Sequence, residues 1–218
     1  MPPRARTRPR DSRTAVLRAA EREFAAHGFA GTGVDAIARR AGVNKAMIYY
    51  HFDSKLGLYR EMLRDGFRAL LAEARSILNE PRAPIDQLEA YVAALLRAGG
   101  RRPHLIPIML REVAAGGRQL DPETLRLLTG MFQVVRQIVE EGRRRGDFRE
   151  LDPLMTHLVI MGAAMLYMAN EPIRARIDRL KLIDAPVRVP FGPEPFVRHI
   201  SALLRGGLAR RHEALDHA

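Results

Sequence analysis

The chain has 218 residues with 36 Lys and Arg against 25 Asp and Glu, a formal charge of +11, and neither Cys nor Trp. That length supports one or two domains with a sizeable core. The absence of Cys excludes a disulfide framework, thiolate metal sites, Fe–S clusters and cysteine nucleophiles. A charge of this sign suits a polyanionic partner and says nothing about fold.

Its distribution is uneven: residues 1–10 carry +4 and no acid, residues 11–65 carry +2, and the remainder carries +5. Only three of the bases are Lys, and two of them, Lys45 and Lys55, lie close together. The basic N-terminus is followed by a charged amphipathic stretch, so a secretory leader is not expected. The longest apolar run, residues 154–169, falls short of the roughly 20 residues a spanning helix needs. A cytoplasmic protein with no membrane partner is the expectation.

Helical periodicity dominates in chain order. Ser12 is positioned to cap a helix over Arg13–His27, with Val16, Leu17, Ala20 and Phe24 on one face and Gly28 ending it. Short helices follow over Val34–Ala41 and Lys45–His51, separated by Gly42-Val43-Asn44, with Asn44 as N-cap. Asp53-Ser54 then caps a long helix from Lys55 to about Asn79. Further spans are expected over 85–98, 103–115, 122–145, 153–170, 172–182 and 193–208, where Asp121-Pro122 and Asp152-Pro153 each place a cap before Pro at the first helical position. The fold class is all-α.

Two short helices around a three-residue turn containing Gly form a helix-turn-helix. Ala38 permits close approach of the helices, Gly42 takes the turn, and Val34, Ile37, Val43 and Ile48 face the small core. The third helix is left to present Lys45, Ala46, Met47, Tyr49 and Tyr50 outward. Such a helix fits the major groove: Lys45 donates to guanine or phosphate, and Ala46 and Met47 meet a thymine methyl. Tyr49, Tyr50, His51 and Lys55 supply phosphate donors. The plainer alternative is that Tyr49 and Phe52 only pack the domain.

Over Arg13 to Leu58, AVLRAAEREFAAHGF and GTGVDAIARRAGVNKAMIYYHFDSK resemble the N-terminal signature of the TetR family of bacterial transcriptional regulators. Matching positions include Ala20, Phe24, Gly28, Phe29, Thr32, Val34, Ile37, Ala38, Gly42, Tyr49, Phe52 and Lys55, whereas Gly33 and Asn44 stand where the family usually has Ser or Thr. The resemblance implies phosphate anchoring at Tyr49 and Lys55 and base reading at Lys45, Ala46 and Met47, and it brings Thr32 into the DNA-facing set. It also implies a division into a basic flexible arm (1–11), a three-helix DNA-binding domain (12–59) and a helical ligand-binding and dimerisation domain (60–218).

Decoys carry little. The Gly28–Gly33 stretch follows a helix and lacks phosphate-loop spacing, and no G-x-S-x-G, H-E-x-x-H or S-x-x-K motif supports an enzyme. No cofactor is expected. A metal site from His104, His157 and Glu112 is the weaker alternative to none. The segment Pro153–Asn170 is apolar almost all round, so it must be covered on more than one side. By resemblance it pairs, with a last helix striped by Phe196, Val197, Ile200, Leu203, Leu204 and Leu208, across a two-fold homodimer. Met clustering with aromatic residues suggests an adaptable apolar pocket, for which Tyr91, Met109, Met131, Phe132, His157 and Met161 are the candidate lining. The expected function is a ligand-responsive regulator, first of all a repressor, that binds a pseudo-palindromic operator in double-stranded DNA and is released by a small hydrophobic effector. The alternatives are an activator or effector-independent regulator, and, from other classes, an all-α carrier or enzyme.

Overall fold

The computed structural model describes residues 9–182 and 193–208. Ten α-helices are found there, and no strand among the described residues: α1 (Pro9–Gly31), α2 (Val34–Ala41), α3 (Lys45–Phe52), α4 (Lys55–Leu78), α5 (Pro84–Arg101), α6 (Leu105–Ala114), α7 (Pro122–Arg144), α8 (Pro153–Ala169), α9 (Glu171–Arg179) and α10 (Pro193–Leu208). Most ends fall within a few residues of the predicted ones. The arm arginines Arg4, Arg6 and Arg8 lie outside the described residues. The N-terminus of α1 is a correction: the helix starts at Pro9, whose fixed φ suits a first turn, so Ser12 lies inside it instead of capping it. Gly28 does end the regular part of α1, with φ 69°, a conformation that a Cβ would penalise.

Two compact units form, one from the described residues within 1–69 and 102–127, the other from those within 70–101 and 128–218. The helices α4 and α7 each contribute residues to both. In the first unit α1 packs on α2, α3 and α6. Its core holds Val16, Phe24, Ile37, Ile48, Leu58 and Met62, all fully buried. These are the apolar positions that recur at three- and four-residue spacing, so burial follows directly from pattern.

In the second unit α5 packs on α8 and α10, and α8 meets α9. Leu88, Tyr91, Val92, Met131, Val135, Ile138 and Ile160 form its core. Asp152 caps α8 as its sequence context predicts, its Oδ1 accepting from Met155 N at 2.8 Å. Of α8 itself only Ile160 and Ala164 are buried. Leu154, Met155, Leu158, Val159 and Leu166 are exposed, Val159 by 67% and Leu158 by 52%. Among the described residues no single helix is long and apolar enough to cross a membrane.

Candidate nucleic-acid interface and effector site

The interface is built from the turn outward. Gly42 adopts φ 68°, ψ 28°, and the chain closes on α2 through Val43 N to Ala38 O at 3.1 Å. Asn44 Oδ1 then accepts from Ala46 N at 2.9 Å and starts α3. Ile48 and Phe52 are buried, which fixes the rotation of α3 about its axis. The opposite face carries exposed Lys45, Ala46, Tyr49 and Tyr50, with Met47 and His51 half-buried beside them. Tyr50 is 78% exposed, its ring meeting only the edge of its chain neighbour His51 at 5.2 Å among the ring contacts of the described residues. Phe52 does pack, whereas Tyr49 is 43% exposed.

Several predicted residues have internal partners. Lys45 Nζ donates to Asp35 Oδ2 at 2.9 Å, and this hydrogen bond and the carboxylate's charge hold its pKa above the ordinary lysine value. Lys55 Nζ donates to Thr32 O at 2.9 Å and sits 4.5 Å from the Phe29 ring centroid, so the ammonium is oriented from two sides. Thr32 itself is buried; its hydroxyl is 2.7 Å from Gly28 O and 3.1 Å from Glu23 O, which ties its side chain to the end of α1. The Ser12 hydroxyl and His51 Nε2 lie 3.2 Å apart.

A second group of residues supports this surface; of it the sequence points only to Glu112, and there as a metal ligand. The break at Gly28 leaves carbonyls near the end of α1 without helical partners. Arg111 of α6 supplies them, its Nη1 donating to Phe24 O at 3.1 Å and Ala25 O at 2.6 Å. Next to it Glu112, buried, accepts from the Tyr59 hydroxyl at 2.6 Å. Burial, and then this carboxylate, pushes the Tyr59 hydroxyl well above the ordinary tyrosine range. Arg102 donates to Glu21 through Nε at 2.9 Å and Nη2 at 2.7 Å. These partners lie 53 to 87 positions apart in sequence, beyond what any local periodicity encodes.

In the second unit, Tyr91 is fully buried on α5 and its hydroxyl lies 3.8 Å from Met161 Sδ on α8. Phe132 of α7 meets His157 of α8 edge-on, with ring centroids 5.9 Å apart. Met131 is buried in the same unit, whereas Met109 is half-buried on α6, in the first unit. A separate cleft of 490 Å³ in the second unit is polar, lined by Arg82, Gln87, Gln137, Glu140 and Arg144 among others. The predicted apolar set is therefore represented by two contacting pairs and a core methionine. Glu112 hydrogen-bonds Tyr59 instead of joining His104 and His157, and no group of three or more His, Cys, Asp or Glu able to hold a metal occurs among the described residues.

His157 gives this cluster a pH dependence. Its Nδ1 is buried without a hydrogen-bond partner, and burial holds its pKa below the ordinary 6.5. The unfolded chain therefore binds a proton first, so stability is full above pH 6.5 and falls as pH drops toward the folded-state pKa. Thermal melts between about pH 7.5 and 5.5 should show a decreasing midpoint, flattened in His157→Gln, because carboxylates titrate lower still. An identical slope in the variant would remove His157 as the cause.

Comparison with known proteins agrees with this architecture. Residues 16–62 match the family described as bacterial regulatory proteins, tetR family, and residues 84–187 match a tetracyclin repressor-like C-terminal domain. The HTH-type transcriptional repressor NicS of Pseudomonas putida is 31% identical over 165 residues, covering 73% of this chain and 76% of that one. The HTH-type transcriptional regulator RutR of Escherichia coli is 29% identical over 147 residues, covering 67% and 68%. The regulator FadR of Bacillus subtilis, solved in complex with stearoyl-CoA, has the same fold, with a TM-score of 0.71 at 18% identity over 89% of this chain and 98% of that one. With a helix-turn-helix presenting its third helix outward and matches along most of its length, the chain belongs to the tetR family of bacterial transcriptional regulators.

Proposed function

We propose that the protein is a repressor that binds a pseudo-palindromic DNA operator as a homodimer and leaves it when a small hydrophobic effector binds. The observation that carries this reading is the outer face of α3, where Lys45, Ala46, Tyr49 and Tyr50 stand exposed over a buried Ile48–Phe52 face. Lys45, Ala46 and Met47 meet base edges, while Tyr49, Tyr50, His51 and Lys55 hold phosphates on either side. Thr32, buried and with its hydroxyl engaged inside the domain, acts indirectly: its carbonyl orients the Lys55 ammonium. In place of the expected arm (1–11), DNA-binding domain (12–59) and effector and dimer domain (60–218), we take the DNA-binding part as the first compact unit, within 1–69 and 102–127, and the effector and dimer part as the second, with the arm ahead of Pro9. The cytoplasm is where such a regulator reaches the chromosome.

The effector is hydrophobic, received among Tyr91, Met131, Phe132, His157 and Met161, with Met109 as an outlying candidate. The stearoyl-CoA complex of a protein with this fold is in keeping with that class. The exposed apolar face of α8 forms the two-fold contact, which sets two recognition helices about 34–36 Å apart, one turn of DNA. Helix α4 follows α3 directly and contributes to both compact units, so a shift of α4 changes that spacing. By linkage the effector must bind the released shape more tightly than the DNA-bound one.

Duplex-binding titrations on Tyr49→Ala and Lys55→Ala test the DNA assignment. Each should weaken binding about 10- to 100-fold, the loss of one hydrogen bond to a charged partner. Unchanged affinity in both variants for every duplex tried would sink it. Deleting the gene and measuring neighbouring transcripts tests repression, which predicts a rise.

A further inference from the structure

Lysine on a DNA-facing helix has a choice of acceptors. Its ammonium is a compact charge with three donors on a flexible stem, and phosphates, which carry no sequence information, compete with base edges for it. In this protein the choice is constrained. Asp35, in the first turn of α2, places Oδ2 2.9 Å from Lys45 Nζ, with both side chains reaching solvent. It is the one acid in α2 and α3 together. A carboxylate here opposes DNA approach in general, because it faces a polyanion.

We propose that Asp35 is the specificity-determining partner of Lys45: it holds the ammonium for a base edge, bars it from the phosphate backbone, and trades total affinity for discrimination. One Lys45 donor is taken by Asp35, and two remain for paired acceptors such as O6 and N7 of guanine. The carboxylate repels a phosphate at the same place, so the sequence-blind alternative is disfavoured. This inference rests on α3 being the base-reading helix.

Enrichment from a randomised duplex pool, with the full-length wild type, Asp35→Asn, Lys45→Ala and the double variant, tests it. The wild type should enrich a preferred base at one position of each half-site. Asp35→Asn should reduce that preference about tenfold, at the same position that Lys45→Ala affects. Its affinity for unselected duplex should rise, and its salt dependence should steepen by about one phosphate contact. In the Lys45→Ala background, Asp35→Asn should still raise bulk affinity but leave base preference unchanged, because the ammonium it positions is gone. Asp35 also favours the α2 dipole. A merely structural role would move thermal stability and not the enrichment profile. Retention of the wild-type preference by Asp35→Asn, or an equal change with and without Lys45, would overturn the proposal. A wild type that enriches no duplex would instead overturn the DNA-binding reading beneath it.

Discussion

The double variant Leu158→Glu, Val159→Glu is expected to sediment as a monomer and to lose about 100-fold or more in affinity for a duplex with two half-sites. Both side chains are more than half exposed on α8, so charge there is largely solvated in the single chain. Stability of the single chain should therefore change little. Across a two-fold interface the same carboxylates would be desolvated without partners and would face like charges from the other copy, which costs several kcal/mol per ion. Losing the dimer removes the high local concentration that makes the second half-site engagement intramolecular, a factor of about 10² to 10⁴. Binding to a single half-site should persist at its weak intrinsic level. If the variant remains dimeric by ultracentrifugation, the α8 face is not the interface.

The second large effect is on the DNA-binding unit itself. Phe24→Ala should cost roughly 3–5 kcal/mol and lower the melting midpoint by roughly 10 °C. Phe24 is fully buried, edge-on to Tyr59 with centroids 4.9 Å apart and stacked on Phe29 at 6.0 Å. Phe29 in turn lies beneath the Lys55 ammonium. A cavity at Phe24 therefore loosens a ring that orients Lys55, the lysine proposed to hold a phosphate, and on that proposal duplex affinity should fall even at temperatures where the variant is folded. Differential scanning calorimetry decides the first part: a destabilisation below about 1 kcal/mol would mean the site collapses fully around the smaller side chain.

The helices were largely legible because their signals are local. Asp121 accepts from Thr124 N at 3.1 Å, and Gly42 sits in the left-handed turn that its place between two apolar patterns demands. Ser12 misled because a cap signal cannot outweigh Pro9, which opens α1 a turn earlier. The outward face of α3 was legible too, since burial of Ile48 and Phe52 sets it. What the sequence conceals is pairing across elements. Asp35 meets Lys45 only through the crossing angle of α2 and α3, and Arg111 reaches the end of α1 across 87 positions. Likewise residue type does not separate Met109, half-buried on α6 in the first unit, from Met131 in the core of the second.

The first unit is discontinuous, because residues 102–127 supply Arg102, Arg111 and Glu112 to a core begun by α1. On the ribosome, then, the DNA-binding part cannot finish folding when its own three helices have emerged. Until α6 leaves the exit tunnel, the carbonyls of Phe24 and Ala25 lack Arg111 and the Tyr59 hydroxyl lacks its carboxylate. At about 5–20 residues per second, synthesis of the intervening chain lasts several seconds. A nascent regulator thus reaches full DNA competence only after more than half of its chain has been made and has emerged, and products truncated before α6 should be poor competitors for the operator.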